Sequence, residues 1–259
     1  MKKKIKKKIM PQVKMVINIF VFLLGAIFGS FSNVVIVRKI RGESIIYPPS
    51  HCDACGKKLK PLDLIPIFSY ILLRGKCRYC KNKIPFDTFV IELVLGLLFV
   101  LFFDINNILY SFFLLAAISL SLIISIIDLK TFDIYMSHIG ILSILGLVFR
   151  YLYIGFDWRF FKVLAIFALI YVLIFLISNK AIGNGDIYFY LSLMTFIPTD
   201  EIIWLVLYSI WIGAIFAIVI SIRKGSTKIK IPFCIYIFIA FILVIFKMRY
   251  LLWKNVDLL

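Results

Sequence analysis

Eight apolar runs divide the chain, at residues 15–37, 87–103, 106–127, 135–154, 160–178, 187–198, 200–222 and 231–250. Between the first two lies the one sizeable polar stretch, residues 38–86. A helix needs about 20 residues to cross roughly 30 Å of hydrocarbon. The pattern therefore predicts an all-α polytopic membrane protein with about eight transmembrane segments. The first run is too long for a signal-peptide core and lacks a small-residue cleavage site, so it reads as a retained segment. The sixth run spans about 18 Å at 1.5 Å per residue, and is expected to be short or to continue through the glycines before it. Three parts follow: 1–37, a basic N-terminus and first membrane segment; 38–86, a polar loop; and 87–259, a membrane core.

Composition removes the main alternative. With 63% of residues hydrophobic and a mean hydropathy of +1.05, the chain is far too apolar for a soluble globule. Its net charge of +17 is concentrated: residues 1–14 hold seven lysines and no acid, and residues 38–86 hold eleven basic residues against Glu43, Asp53 and Asp63. These clusters flank a hydrophobic segment, which points to membrane lipids as the partner of the charge and to no nucleic acid. Basic loops stay on the cytoplasmic side. That rule puts 38–86 in the cytoplasm together with the loops near Lys130, Lys180 and Arg223 to Lys230, and turns Asp104 and Asp200-Glu201 outward. The first segment breaks the scheme, because one crossing would leave seven lysines outside. It is either re-entrant or interfacial, or an exception to the rule.

Within the polar loop, Cys52-x2-Cys55 and Cys77-x2-Cys80 form two C-x2-C pairs. Four thiolates from two such pairs can converge on one tetrahedral zinc, and the neighbouring lysines and arginines favour deprotonation. Two disulfides or unrelated thiols are the alternatives. A site with all four positions taken by protein would be structural. Cys234 stands alone in an apolar run and reads as a packing residue.

Ionisable groups in or at the ends of membrane helices are costly, and so are functional candidates. Asp128 ends the third run, Asp186 opens the sixth in Gly183-Asn184-Gly185-Asp186, and Glu92 lies inside the second. Two crossings separate Asp128 from Asp186, so both lie at the face that carries the cysteine loop. Two close carboxylates share a proton, which lets one act as base toward water and the other as acid toward a carbonyl: the chemistry of an aspartic protease. Gly183 and Gly185 suit an active-site loop, since residues without Cβ permit positive φ and close approach of a substrate backbone. The competing reading is that each aspartate caps a helix end. Glu92 is either a structural partner of a nearby polar group or part of a second site. Asp133 reads as a solvated loop residue, and nothing orients Ser30 and His138 as a serine dyad.

Taken in order, these motifs resemble the type IV prepilin peptidases, the leader peptidase/N-methyltransferases that process pilins, pseudopilins and competence pilins. The resemblance runs from Gly29-Ser30-Phe31-Ser32-Asn33-Val34 to Arg38, through both cysteine pairs with Ile65-Pro66-Ile67-Phe68-Ser69-Tyr70 between them, to Ile91-Glu92-Leu93. It ends with Asp128 and Ile134 in the D-x5-I segment and with Gly183 to Asp186 as G-x-G-D. Asp53 and Tyr135 stand where the family usually has proline, and the late P-F-G-P segment is reduced to Pro232-Phe233-Cys234-Ile235.

The resemblance implies a multi-pass enzyme of the cytoplasmic (inner or plasma) membrane, with a zinc-binding loop and an aspartyl site facing the cytoplasm. Its substrate would be a prepilin or pseudopilin with a basic leader. Many members then methylate the new N-terminal amine with S-adenosylmethionine. A different class, a transporter or channel relaying protons through Glu92, Asp128 and Asp186, would place its site near the midplane rather than the interface. A presenilin-type protease shares G-x-G-D and lacks the four-cysteine loop.

Overall fold

The structure is a computed structural model; it describes residues 2–177, 183–225 and 230–256, with side chains over 12–177, 183–225 and 230–250. The expected cytoplasmic loop at Lys180 and residues 226–229 of that from Arg223 to Lys230 lie outside the described residues. Each of the eight apolar runs is a helix, and no strand occurs among the described residues. The helices are α1 (Lys2–Arg41), α3 (Phe86–Phe102), α4 (Ile108–Thr131), α5 (Met136–Tyr153), α6 (Trp158–Ile177), α7 (Asn184–Met194), α8 (Ile202–Lys224) and α9 (Cys234–Val256), with a short α2 (Phe68–Leu72) in the polar loop. Among the described residues, five are long and apolar enough to cross a membrane: the Gln12–Arg41 part of α1, α4, α5, α6 and α8 with its preceding turn. Helix α3 has 17 residues and α7 only 11, so α7 is the short segment that its sequence implied.

Two compact units divide the chain, Met1–Ser111 and Phe112–Leu259. In the first, α1 and α3 pack antiparallel along glycines. A Cβ at Gly25 would stand 2.7 Å from the Leu95 carbonyl, and one at Gly29 would stand 2.6 Å from Glu92 Cα. This G-x3-G spacing is the small-residue stripe that lets membrane helices meet backbone to backbone. Helix α1 is unbroken from Lys2 to Arg41, which removes the re-entrant reading of the first segment: nothing in it turns back. At its C-terminal end Arg38 is buried and donates to the carbonyls of Ser44, Ile45 and Pro48 at 2.9, 3.0 and 2.5 Å. One guanidinium thus ties the start of the polar loop to the helix it leaves.

In the second unit, tilted and edge-on aromatic contacts run through the core: Phe149 meets Phe113, Tyr153 and Phe196, and Phe196 meets Phe241. Two buried serines of α4 donate into their own helix, Ser119 to the Leu115 carbonyl and Ser121 to that of Ala117, which satisfies these two hydroxyls without a partner helix. Arg150 is fully buried. It donates to the Ile197 carbonyl and to Thr199 Oγ1, both at 2.9 Å, and lies 3.4 Å over the Phe160 ring. It staples the end of α5 to the turn that leads into α8.

Candidate active site

Helix α4 ends just past Asp128. Phe132 adopts φ 58° and its N–H closes on the Asp128 carbonyl at 2.8 Å, an αL stop that turns the chain one residue after the helix. Across α5 and α6 the chain comes back, and Asp186 lies in the first turn of α7. Both carboxyl groups are buried, each 6% exposed. A carboxylate oxygen of Asp128, one of Asp186 and Cys234 Sγ all lie within 4.8 Å of one another. The parity expected from two crossings is thus met by direct proximity.

Neither aspartate serves as a simple cap of its own helix. The N-cap of α7 is Gly183, which has no side-chain hydrogen bond, and Asp186 Oδ1 instead accepts from Cys234 Sγ at 3.3 Å. Asp128 Oδ2 accepts the backbone N–H of Cys234 at 3.1 Å, from 106 residues away. Cys234, expected as packing, is in fact the residue between the two acids. Only its place in the altered P-F-G-P segment could have flagged it.

The glycines differ from expectation. Gly183 has φ −67°, and Gly185 is not among the glycines with positive φ; it stands inside helix α7 rather than in a loop. Their value is room. A Cβ at Gly185 would come 2.5 Å from Ile134 Cδ1 and 3.0 Å from Ile134 Cβ, and one at Gly183 would come 3.0 Å from Asp186 Oδ2. Gly185 therefore joins the G-x-G-D motif to the D-x5-I motif by contact. The Gly183 carbonyl accepts the Tyr171 hydroxyl at 2.9 Å, which fixes the approach to α7 from α6. Asp133 is exposed, as expected.

In the first unit Glu92 is buried, and its Oε2 accepts the Ile67 N–H at 2.6 Å. It anchors the Ile65–Tyr70 stretch of the polar loop to α3. The cysteine pairs lie in two copies of one turn. His51 bridges to Lys58 and Lys76 to Lys83. Cys52 N–H donates to the Lys57 carbonyl and Cys77 N–H to that of Asn82; Gly56 N–H returns to Cys52 and Lys81 N–H to Cys77. Gly56 and Lys81 take matching φ of 67° and 60°.

All five cysteines are free thiols, and the sulfurs of Cys52, Cys55, Cys77 and Cys80 lie within 4.8 Å of one another. Cys52 and Cys80 sulfurs are 3.8 Å apart, too far for a disulfide and equal to the edge of about 3.8 Å in a tetrahedron with zinc–sulfur bonds of about 2.3 Å. The backbone N–H groups of Cys80 and Tyr79 lower the Cys77 thiol from 9.0 to about 7, while burial and the neighbouring sulfurs push Cys80 up to about 11, so Cys77 is the first of this pair to become a thiolate. The donor set fits zinc. Salt bridges brace the turns: Arg41 with Asp53 at 2.8 Å and Arg78 with Asp63 at 2.6 Å.

Fold and site together define a multi-pass helical membrane protein with a buried carboxylate pair and a four-cysteine cluster. Residues 23–105 match the bacterial peptidase A24 N-terminal domain, and residues 115–218 match the type IV leader peptidase family. A prepilin leader peptidase/N-methyltransferase of Neisseria gonorrhoeae is 30% identical over 237 residues, covering 78% of this chain and 82% of that protein. One from Vibrio cholerae is 28% identical over 250 residues, 88% of this chain and 95% of that protein. One from Myxococcus xanthus is 30% identical over 221 residues, 80% of this chain and 64% of the relative. No solved structure gives a significant match. The chain belongs to the type IV leader peptidase family of prepilin peptidases.

Proposed function

We propose that this chain removes the basic leader of type IV prepilins or pseudopilins, with Asp128 and Asp186 as its aspartyl dyad. The observation that carries the reading is the meeting of these two buried carboxylates within 4.8 Å. Sharing one proton between them, the ionised member takes a proton from water, whose oxygen attacks the scissile carbonyl carbon, while the protonated member gives its proton to the carbonyl oxygen. The tetrahedral intermediate collapses as a carboxyl proton passes to the leaving amine and the C–N bond breaks. The pair titrates as a unit.

In this reading residues 1–37 form the basic terminus and first segment, 38–86 a cytoplasmic zinc loop and 87–259 the peptidase core, in the inner or plasma membrane with the site at the cytoplasmic face. The prepilin's cleavage point, where a polar leader meets an apolar helix, calls for a dyad at that interface. Zinc held by Cys52, Cys55, Cys77 and Cys80 would cross-link the two turns and leave no coordination position for substrate. The relatives' names carry N-methyltransferase, and the proposal includes S-adenosylmethionine as the methyl donor to the new N-terminal amine, which would release S-adenosylhomocysteine and a proton. Mass spectrometry of a pilin's N-terminus, made with and without this protein, tests cleavage and methylation together. An intact leader in the presence of folded, membrane-inserted protein overturns the assignment.

A further inference from the structure

Cys234 is the first residue of α9, so its N–H has no acceptor within its own helix. That amide donates to Asp128 Oδ2 at 3.1 Å, and the thiol donates to Asp186 Oδ1 at 3.3 Å. The residue is itself held from both sides. Its carbonyl accepts Ser125 Oγ of α4 at 3.0 Å, and the preceding Phe233 ring fills the space over Gly213 of α8, where a Cβ would stand 2.7 Å from Cε2. Cys234 is 0% exposed. A cysteine serving only as a small apolar filler would turn its sulfur to hydrocarbon; this one turns it to a carboxylate.

Resting on the dyad reading above, we infer that Cys234 is a positioning residue for that dyad. One side chain and one amide of a single residue fix the separation and orientation of the two carboxyl groups. The amide is part of the backbone and survives any substitution but proline. The thiol stands where the P-F-G-P pattern has glycine, and it orients Asp186.

The test compares Cys234→Ala and Cys234→Ser in the full-length, detergent-solubilised protein, with a prepilin as substrate. Cys234→Ala keeps the amide and loses the donor to Asp186. It is expected to lower kcat about tenfold while KM stays within about twofold, the loss of a weak donor to a charged group. Cys234→Ser returns a donor and is expected to recover kcat to within about threefold of the parent. Melting of each variant is followed in parallel. Full kcat in Cys234→Ala overturns the inference, and so does a loss that tracks the drop in melting temperature and is not recovered by serine. Asp128→Asn and Asp186→Asn serve as the reference. If either Asn variant cleaves well, the dyad reading itself falls; if both are inactive and Cys234→Ala is fully active, only the role of Cys234 falls.

Discussion

In the cysteine loop, each turn is closed by backbone hydrogen bonds between residues four and five apart, Gly56 to Cys52 and Cys52 to Lys57, and the same bonds recur at Cys77. In the aspartate pair, the contacts bridge residues 48 and 106 apart in sequence. The first arrangement is written locally, and its geometry belongs to the turn. The second belongs to no segment; it exists only when α4, α7 and α9 are packed. Perturbing the loop should therefore cost metal and local order, whereas small changes of packing around the aspartates should cost activity well before they cost fold.

The sharpest break falls on the pair. Asp128→Asn or Asp186→Asn is expected to lower prepilin cleavage by about a thousandfold, the scale of a lost general acid or base, with insertion and melting little changed; cleavage assays on purified protein decide it. Next, Cys77→Ser or Cys52→Ser is expected to reduce bound zinc from one per chain to nearly none and to open residues 50–83 to limited proteolysis. Full metal retention would contradict the ligand set. Chelation of the parent protein should do the same while the melting of 112–259 persists, since the two units are separately compact.

A smaller effect tests the collective site. Gly185→Ala drives a methyl into Ile134, an overpacking worth about 1–3 kcal/mol. Cleavage is expected to fall about tenfold or more, and Ile134→Val in the same chain to restore part of it; no coupling between the two in a double-mutant cycle would break the proposed contact. The smallest effect tests the local turn. Lys81 holds φ 60° where its counterpart is Gly56, at a cost of about 1 kcal/mol for a side chain. Lys81→Gly is therefore expected to slow zinc loss to a chelator slightly, and faster loss would mean that the two turns are not equivalent.

The same contrast explains what the sequence disclosed. Eight helices were legible because charged and turn-forming stretches separate the apolar runs, and the cysteine turns because ligand spacing is itself local. That Asp128 and Asp186 lie at one face followed from counting crossings; their approach to within 4.8 Å is fixed only by packing. Cys234 could not be read this way: nothing in an isolated apolar run says which side chain faces a carboxylate brought from elsewhere in the fold. Gly185 was read as backbone freedom because its neighbour Ile134 is distant in sequence. Arg150 also escaped notice, since its partners, the Ile197 carbonyl and Thr199, are likewise fixed only by packing. The extension of α1 back to Lys2 was hidden because seven lysines contribute charge but still favour helix.

That helix has a mechanical consequence. At 1.5 Å per residue, 40 residues make a rod of about 60 Å, twice the thickness of the hydrocarbon it enters. It bears cations at both tips, Lys2 to Lys8 at one and Arg38, Lys39 and Arg41 at the other. A dumbbell charged alike at each end has little electrostatic sense of direction. What fixes it against a neighbour is instead the glycine seam, which locks it antiparallel to α3.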